Sequence, residues 1–233
     1  MTTQKILGSV SAYRESAVVA LLMLVVTIVY EVAMSLVIAD FAGNYYEFFG
    51  TWCVLNAVWL VRTQNIQTWA WGIVGVILLG VFFGQIGLPG QQWLQWAFFV
   101  PVQVWSWYYW ATAGAKHKAD ELPVTMLSGT DRAIWLGVVG LGTILVVYFI
   151  DTFVPGSNYP WLDGLVVVAS MTAQYLMGRK KVESWLLWLG PVNVVSIILF
   201  SLSGAYVLTA LYVAFLIHAA FGVSSWRKAA LAG

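Results

Sequence analysis

Charged residues are scarce in this chain, because Asp, Glu, Lys and Arg together make up 9% of its 233 residues, against about 25% in an average soluble domain. Hydrophobic residues make up 61%. A soluble fold of this size still exposes roughly a quarter to a third of the surface of its unfolded chain, and so apolar a chain cannot keep that surface away from water. The composition excludes a soluble protein and predicts an integral membrane protein.

Cysteine and histidine are also nearly absent, with Cys53 alone and two histidines, His117 and His218. One cysteine cannot form an intramolecular disulfide, and the histidines lack the spacing of a zinc site. The short motifs of nucleotide-binding loops, hydrolases and metalloproteases are missing from the sequence. The formal net charge of +1 creates no basic field for nucleic acid. We therefore expect no metal, no cofactor and no nucleic-acid partner.

Long apolar runs are what the sequence has in abundance. A hydrocarbon core about 30 Å thick needs about 20 residues per helix. Eight runs approach that length: 17–38, 47–63, 68–87, 91–111, 132–152, 161–178, 184–202 and 205–226. The first run exceeds the roughly 7–15 apolar residues of a signal peptide, so we predict that it is retained. The prediction is an all-α integral membrane fold with eight transmembrane helices, in contact with membrane lipid.

The few positive charges are distributed unevenly between the loops. All eleven fall before the first span, after the eighth, or in alternate loops between them: Lys5, Arg14, Arg62, Lys116, Lys118, Arg132, Arg179, Lys180, Lys181, Arg227 and Lys228. The other loops carry acidic residues and no Lys or Arg. Because Lys and Arg are enriched in cytoplasmic loops, we expect both termini to be cytoplasmic.

The sequence resembles itself at a distance of 116 residues. One ungapped shift aligns residues 50–110 with 166–226. Several aromatic residues coincide, including Trp69 with Trp185, Trp96 with Tyr212 and Trp110 with Trp226, and Ser106 falls on Gly222. Spans two to four therefore match spans six to eight. Because each set has an odd number of spans, the fifth span must reverse the chain, and the repeats are predicted to be parallel.

This duplication divides the chain into five parts. We expect an N-terminal segment with an extra helix at 1–46, a first three-helix repeat at 47–111, a cytoplasmic connector with a linking helix at 112–160, a second three-helix repeat at 161–228 and a cytoplasmic tail at 229–233. The predicted core is thus a 3+1+3 arrangement of parallel repeats that follows one additional transmembrane helix.

Polar residues inside the spans indicate a candidate site, because repeat-built transporters bind substrates near the midplane where the repeats meet. The fourth span places Gln92, Gln95, Trp96, Phe99, Gln103 and Trp107 at intervals of three or four; the seventh carries Trp185, Leu189, Asn193 and Ser196; the sixth and eighth add Gln174 and Tyr212. Such amides can instead join helices by hydrogen bonds worth about 0.6–2 kcal/mol. As a group with tryptophans, they favour a flat, polar, heteroaromatic ligand.

Four other residues within the spans have two interpretations each. Pro101 and Pro191 either kink their helices or act as gating hinges. Glu31 either couples protons or lies solvated near the outer interface. His218 is interpreted as a hydrogen-bonded packing residue in preference to a proton relay.

Two stretches resemble the PnuC-type vitamin transporter family, whose type member carries nicotinamide riboside. The second repeat contributes Asp163, Gln174-Tyr-Leu-Met, Arg179-Lys-Lys, Glu183-Ser-Trp185-Leu-Leu-Trp188, Asn193, Gly204-Ala-Tyr206, Ala210-Leu-Tyr212, Gly222 and Trp226-Arg-Lys. The first repeat adds Asn65, Trp69, Gly72-Ile-Val-Gly75, Leu94-Gln95 and Trp107-Tyr-Tyr-Trp110. The resemblance covers residues 47–228, and its second-repeat stretch is the more specific.

The resemblance implies a fold akin to the SWEET sugar transporters and uptake by facilitated diffusion, with a cytoplasmic kinase trapping the product. It associates Asn193, Gln95, Trp185 and Trp188 with the substrate pathway. Ser184 stands where the family usually has Asn, and Ser106 where it has Gly. Other branches of the family carry thiamine, riboflavin or deoxynucleosides, so the substrate stays open at this point.

The hypothesis is therefore a nicotinamide riboside transporter of the bacterial inner membrane that works by alternating access. The candidate binding residues are Asn193, Gln95, Trp185, Trp188, Gln103, Gln174, Trp69 and Tyr212. The alternatives are a carrier of another aromatic vitamin or nucleoside and a membrane subunit that binds its ligand without transporting it. An enzyme is disfavoured because no nucleophile and base lie together in the spans. A homo-oligomer is left open.

Overall fold

A computed structural model describes residues 9–37, 43–85, 92–113, 122–153, 159–202 and 206–232. Five residues used in the sequence analysis lie outside these ranges: Lys5, Lys116, His117, Lys118 and Gly204. Within the described ranges the chain forms helices and no strand, apart from one isolated bridge between Thr125 and Lys181. The predicted all-α class is confirmed.

The chain divides into two compact units, unit 1 (residues 1–122) and unit 2 (residues 123–233). Unit 1 contains α1 (Val10–Val37), α2 (Tyr45–Arg62), α3 (Thr68–Gln85), a π-helical segment π1 (Leu94–Phe99) and α4 (Val100–Ala113). Unit 2 contains α5 (Gly129–Phe153), α6 (Pro160–Gly178), α7 (Glu183–Leu187), a second π-helical segment π2 (Trp188–Val194), α8 (Val195–Leu202) and α9 (Tyr206–Ala232).

Within unit 1, α2 and α3 approach each other closely because glycines line their contact. A Cβ atom at Gly75 would lie 2.8 Å from Cγ2 of Val54, and one at Gly50 would lie 2.9 Å from the side chain of Leu79. Small residues let helix backbones come together where lipid supplies no hydrophobic driving force. α1 packs against α2, and α4 packs against α3.

Unit 2 has the same kind of packing between α5 and α6. A Cβ atom at Gly142 would lie 2.8 Å from Cγ1 of Val168, and one at Gly164 would lie 3.0 Å from Val147. The helix α6 also packs against α7, π2 and α8. These contacts place α6 at the centre of its unit, between α5 on one side and the helices that carry Trp185 and Asn193 on the other.

The helices α1 and α5 expose many large hydrophobic residues. Examples are Leu21, Val29 and Leu36 on α1, and Leu141 and Leu145 on α5, all more than 60% exposed. Among the described residues, three helices are long and apolar enough to cross a membrane, at Val10–Leu36, Thr68–Gln85 and Gly129–Phe153. Their exposed surfaces are those expected of helices that face lipid.

The loop after α2 and the loop after α6 share an uncommon backbone conformation. Gln64 has φ 61° and Lys180 has φ 50°, and these are the non-glycine residues with positive φ in the described chain. Such a conformation costs an L-residue roughly 1–2 kcal/mol. The residue before each has nearly the same angles, φ −83° with ψ 4° at Thr63 and φ −83° with ψ 5° at Arg179. The positive-φ residues of the two loops are 116 residues apart.

The same hydrogen bonds hold both loops. In unit 1, the amide of Asn65 donates to the carbonyl of Leu60 at 2.9 Å, and that of Thr68 donates to the carbonyl of Asn65 at 3.1 Å. The positions 116 residues later repeat the pattern: Lys181 N–H to Leu176 O at 3.0 Å and Ser184 N–H to Lys181 O at 3.1 Å. Each loop therefore leads into the next helix along an equivalent path.

In unit 2, Glu183 ties the second of these loops to the start of α5. Its carboxylate accepts from the Leu127 amide at 3.0 Å, from Nε of Arg132 at 3.0 Å and from a terminal nitrogen of Arg132 at 2.9 Å. Thr125 adds a backbone pair, since it donates to the carbonyl of Lys180 and accepts from the amide of Val182. Glu183 is buried, whereas the Arg132 side chain is half-exposed.

This asymmetry predicts unequal effects of removing the two partners. Glu183→Ala leaves a buried amide and a guanidinium without their acceptor, so we expect it to lower the free energy of unfolding by about 2–3 kcal/mol. Arg132→Ala removes a partner that water replaces in part, and we expect a loss of about 1 kcal/mol or less. Thermal unfolding in detergent measures both, with the exposed Lys228→Ala as control. Equal losses for the two variants would contradict this interpretation.

Candidate functional site

Three of the candidate residues lie in the π-helical segments. Gln95 is in π1, and Trp188 and Asn193 are in π2. π-Helical turns are rare and occur frequently at functional sites. They widen the helix and displace side chains from the regular 3.6-residue period, so the continuous face predicted for the fourth span does not hold through π1. Each unit thus carries a local break in its helical ladder at a candidate polar residue.

Proline accompanies both π segments. Pro191 lies inside π2, and Pro101 is the second residue of α4, directly after π1. Proline has no N–H to donate and its ring clashes with the carbonyl of residue i−4. A wider turn relieves that clash. In each unit, proline therefore accompanies a change between α-helix and π-helix.

Gln103 packs against the backbone of α3. Its side chain is 6% exposed, and a Cβ atom at Gly72 would collide with its carboxamide oxygen. Gly72 is therefore required for Gln103 to occupy its place. Trp96 uses a second glycine in the same way, because its indole nitrogen donates to the carbonyl of Ile77 at 3.2 Å beside Gly80.

Trp69 and Trp185 occupy matching environments in their two units. Trp69 meets Trp110 edge to face at 5.0 Å between ring centroids, and Trp185 meets Trp226 in the same manner at 5.8 Å. Both Trp69 and Trp185 are 2% exposed. Neither indole nitrogen has a hydrogen-bond partner in the described parts of the chain. A buried donor without a partner costs about 1–3 kcal/mol, so each unit keeps one unused donor at the same position.

One face of α9 holds the Trp185 ring. His218, Gly222 and Trp226 recur every four residues on that face, and the His218 ring lies 5.8 Å from that of Trp185. A Cβ atom at Gly222 would overlap the Trp185 indole. The indole is therefore packed directly against the α9 backbone, and its faces are covered by the protein.

Trp188 and Tyr212 pack on a common apolar cluster in unit 2. That cluster is formed by Val139, Ala169 and Val192. Unlike Trp185, Trp188 remains partly exposed. The next residue after Val192 is Asn193, which is 3% exposed. The structure thus packs Trp188 and Tyr212 on one cluster beside π2, the segment that also carries Asn193.

The remaining candidates are placed separately. Gln174 is half-buried on α6, which packs against π2. In the described part of unit 2, no hydrogen bond joins Gln174 to Asn193. Gln95, Gln103 and Trp69 belong to unit 1. Among the described residues, no group of three or more His, Cys, Asp or Glu side chains could hold a metal ion.

Sequence reasoning did not identify the residues that hold these candidates in place. In the sequence, Gly222 is a repeat partner and, like Asn65 and Glu183, a part of the family resemblance, but no pattern there assigns a packing role to any of the three. The positive-φ positions at Gln64 and Lys180 carry no sequence signal, because neither is glycine. Pro101 and Pro191 are the signal in the sequence that marks the π segments, but proline by itself predicts a kink or a hinge and not a π-helical turn.

Comparison with known proteins assigns the fold and the family. The family model for nicotinamide mononucleotide transporters matches residues 44–228. The nicotinamide riboside transporter PnuC of Escherichia coli (strain K12) is 30% identical over 216 residues, which is 81% of this chain and 89% of that protein. The riboflavin/roseoflavin transporter RibM of Streptomyces davaonensis is 25% identical over 155 residues, 65% of this chain and 67% of that protein.

The crystal structure of a vitamin B3 transporter PnuC has the same fold. It superposes with a TM-score of 0.71 at 23% sequence identity and covers 97% of this chain and 99% of its own. Together with the apolar helices, these matches describe a multi-pass membrane protein and a transporter, not an enzyme. The chain belongs to the nicotinamide mononucleotide transporter family, of which PnuC is a member.

Proposed function

We propose that this protein carries nicotinamide riboside into the cell by facilitated diffusion. The observation that carries the substrate assignment is the 30% identity, over most of both chains, to a protein named for nicotinamide riboside. Riboflavin is the second candidate, because RibM is also a relative, at 25% identity and over a shorter stretch. A subunit that binds a vitamin without transporting it is the third candidate, and the transport assay below distinguishes it.

The partly exposed Trp188 is the residue we propose to stack on the pyridinium ring. A cation over an indole face is stabilised by about 0.5–2 kcal/mol. The neighbouring Asn193 would bind the carboxamide or a ribose hydroxyl, together with Gln174 and Tyr212 of unit 2. For unit 1, taken by itself, we propose that Gln95 and Gln103 bind amide or hydroxyl groups of a ligand. Trp185 and Trp69 are covered by the protein, so they would support these residues and offer an indole N–H.

For the architecture we propose eight membrane spans in the SWEET-like order of one extra helix and a 3+1+3 core. The first repeat would be residues 47–111 and the second 161–228, with the linking helix between them. Three observations support the duplication: the ungapped shift of 116 residues, the positive φ angles at both Gln64 and Lys180, and the edge-to-face tryptophan pairs. The placement of Lys and Arg supports cytoplasmic termini in a bacterial inner membrane.

Uptake of this ligand needs no coupling ion. Nicotinamide riboside carries one positive charge, and inward movement of one charge gains about 2.3 kcal/mol per 100 mV of membrane potential. We further propose that a cytoplasmic kinase traps the product as a phosphate ester. In α5 to α9 the few charged residues lie near helix ends, which supports a passive mechanism in unit 2. Glu31 of α1 is the candidate for proton coupling that the pH-gradient experiment below tests.

Purified protein in liposomes tests the substrate. We expect counterflow of nicotinamide riboside and little of riboflavin or thiamine. Trp188→Ala is expected to raise KM about tenfold, since it removes an interaction of roughly 1–2 kcal/mol, whereas Trp188→Phe keeps a ring and loses less. Asn193→Ala is expected to act similarly. Trp93→Ala, at a 62% exposed tryptophan, is the matched control. Ligand binding without counterflow would favour the non-transporting subunit. Counterflow of riboflavin, without that of nicotinamide riboside, would make riboflavin the substrate.

The same liposomes, which contain no kinase, test the mechanism. With no membrane potential, we expect nicotinamide riboside to reach equal concentrations inside and outside, and an imposed potential of 100 mV, negative inside, to raise the inner concentration. An imposed pH gradient should leave the equal distribution unchanged. Accumulation driven by the pH gradient alone would show proton coupling and contradict facilitated diffusion.

Gly222 provides a separate test of how Trp185 is held. Gly222→Ala places a methyl group within the Trp185 indole, so we expect a loss of about 1–3 kcal/mol in the free energy of unfolding and reduced uptake. Gly137→Ala is the control, because a Cβ atom there meets no atom within 4 Å. Melting temperature and initial uptake rate are the measurements. Normal uptake by Gly222→Ala would mean that the position of Trp185 does not matter for transport.

A further inference from the structure

The helix α1 is bound to the rest of unit 1 by the side chains of two tryptophans. The indole of Trp52 on α2 donates to the carbonyl of Ala20 at 2.9 Å, and the indole of Trp71 on α3 donates to the hydroxyl of Ser16 at 2.8 Å. The two indoles also meet each other at 5.1 Å between ring centroids. Among the described residues of unit 1, only α1 provides acceptors for these two donors, so this helix completes polar contacts of α2 and α3.

Asn65 makes a third connection, from the loop between α2 and α3. Its side-chain amide donates to the carbonyl of Ala12 at 2.9 Å and to the carboxylate of Glu15 at 3.0 Å. The side-chain oxygen Oδ1 of Asn65 accepts from the backbone amide of Gln67 at 3.0 Å. Asn65 is 6% exposed. One side chain therefore fixes the loop internally and attaches it to the start of α1.

The helix α1 also has a counterpart in unit 2. The shift of 116 residues places Val10–Val37 on residues 126–153, and α5 ends at residue 153. Thr27 is buried and donates its hydroxyl to the carbonyl of Met23 at 2.8 Å; Thr143, 116 residues later, donates to Val139 at 2.7 Å. α1 packs on α2 as α5 packs on α6. The helix that precedes the first repeat thus corresponds to the linking helix.

We propose that α1 is the first helix of a four-helix unit. We also propose that Asn65 is a positioning residue, through which α1 fixes the loop that leads into α3 and Trp69. The matched family model begins at residue 44 and leaves α1 out. The inference concerns transport and so rests on the proposed function. It goes beyond the 3+1+3 arrangement, in which α1 is an addition without a counterpart.

The loop needs such an attachment because its backbone is unfavourable. Gln64 adopts φ 61° without being glycine, at a cost of roughly 1–2 kcal/mol. Strained conformations persist where surrounding contacts hold them. The carbonyl of Asn65 accepts from the amide of Thr68, the residue before Trp69, so a displacement of Asn65 is passed to Trp69.

Unit 2 meets the same requirement with different side chains. There the loop at Lys180 is held by Thr125 and by Glu183, which reaches Leu127 and Arg132 at the start of α5. In both units, the chain around the start of the first helix holds the loop before the buried tryptophan. This recurrence with unrelated residues indicates that the attachment itself is what the fold requires.

Asn65→Asp separates the two roles of this side chain. An aspartate can still accept from the Gln67 amide, but it cannot donate to Ala12 and it places a carboxylate against that of Glu15. We expect the KM for nicotinamide riboside to rise about tenfold, corresponding to about 1.4 kcal/mol. Adding Glu15→Gln supplies a donor opposite the new carboxylate, and we expect recovery to within about threefold. Glu15→Gln alone keeps an acceptor and is the control.

Hydrogen exchange over residues 63–71 is measured in the same samples and needs no ligand. We expect faster exchange in Asn65→Asp and recovery in the double variant. Unchanged KM and exchange in Asn65→Asp would overturn the proposal, as would failure of Glu15→Gln to rescue either measurement. If Asn65→Asp does not fold, Trp71→Phe, which loses only the donor to Ser16, takes its place with the same expected direction.

The wild-type protein distinguishes the two proposals. If it transports no nicotinamide riboside, the proposed substrate is wrong, while the exchange measurements still decide whether α1 holds the loop. If it transports normally and the variants exchange as wild type does, the substrate assignment stands and α1 has no positioning role.

Discussion

Lipid offers no hydrogen bonds, so each backbone amide and carbonyl in a span must find its partner within the protein. Regular helices meet this condition without help from side chains. Each departure from the regular helix leaves backbone N–H or C=O groups without their usual helical partners, and particular residues must supply other partners. In the described parts of this protein, two such departures lie inside helices, namely the π segments, and two more lie between helices, namely the loops with positive φ. The small set of polar residues is concentrated around them, and Asn65 and Glu183 are the best examples.

The π segments show the other consequence of the same constraint. A widened turn weakens the continuity of the ladder, and here it coincides with Gln95 in unit 1 and with Trp188 and Asn193 in unit 2. An uninterrupted α-helix would place these side chains elsewhere on its circumference. Pro191 supplies the physical cause in π2, because a residue without an N–H cannot continue the α-helical pattern. The π-helical turns thus both interrupt the regular helix and set the positions of the polar side chains that they carry.

The sequence was sufficient for the all-α membrane class, because long apolar runs and scarce charges have few other solutions. The self-similarity at 116 residues also aligned Trp69 with Trp185, and these two residues have similar surroundings in the structure. The change of helix type at π2 was not predictable, because proline signals a disturbance without specifying its form. The covering of Trp185 was not predictable either. A tryptophan within a span is equally consistent with an interface, a core or a ligand, and the deciding contact with Gly222 is 37 residues away.

At two pairs of equivalent positions the units exchange large and small residues. Gly72 of α3 corresponds to Trp188, and Gln103 of α4 corresponds to Ala219 of α9. In unit 1, the carboxamide of Gln103 from α4 lies over Gly72 of α3. In unit 2, the equivalent positions carry the indole of Trp188 in π2 and the small side chain of Ala219 on α9. The matched positions of the two units therefore share one packing scheme but present different chemistry, an amide in unit 1 and an aromatic face in unit 2.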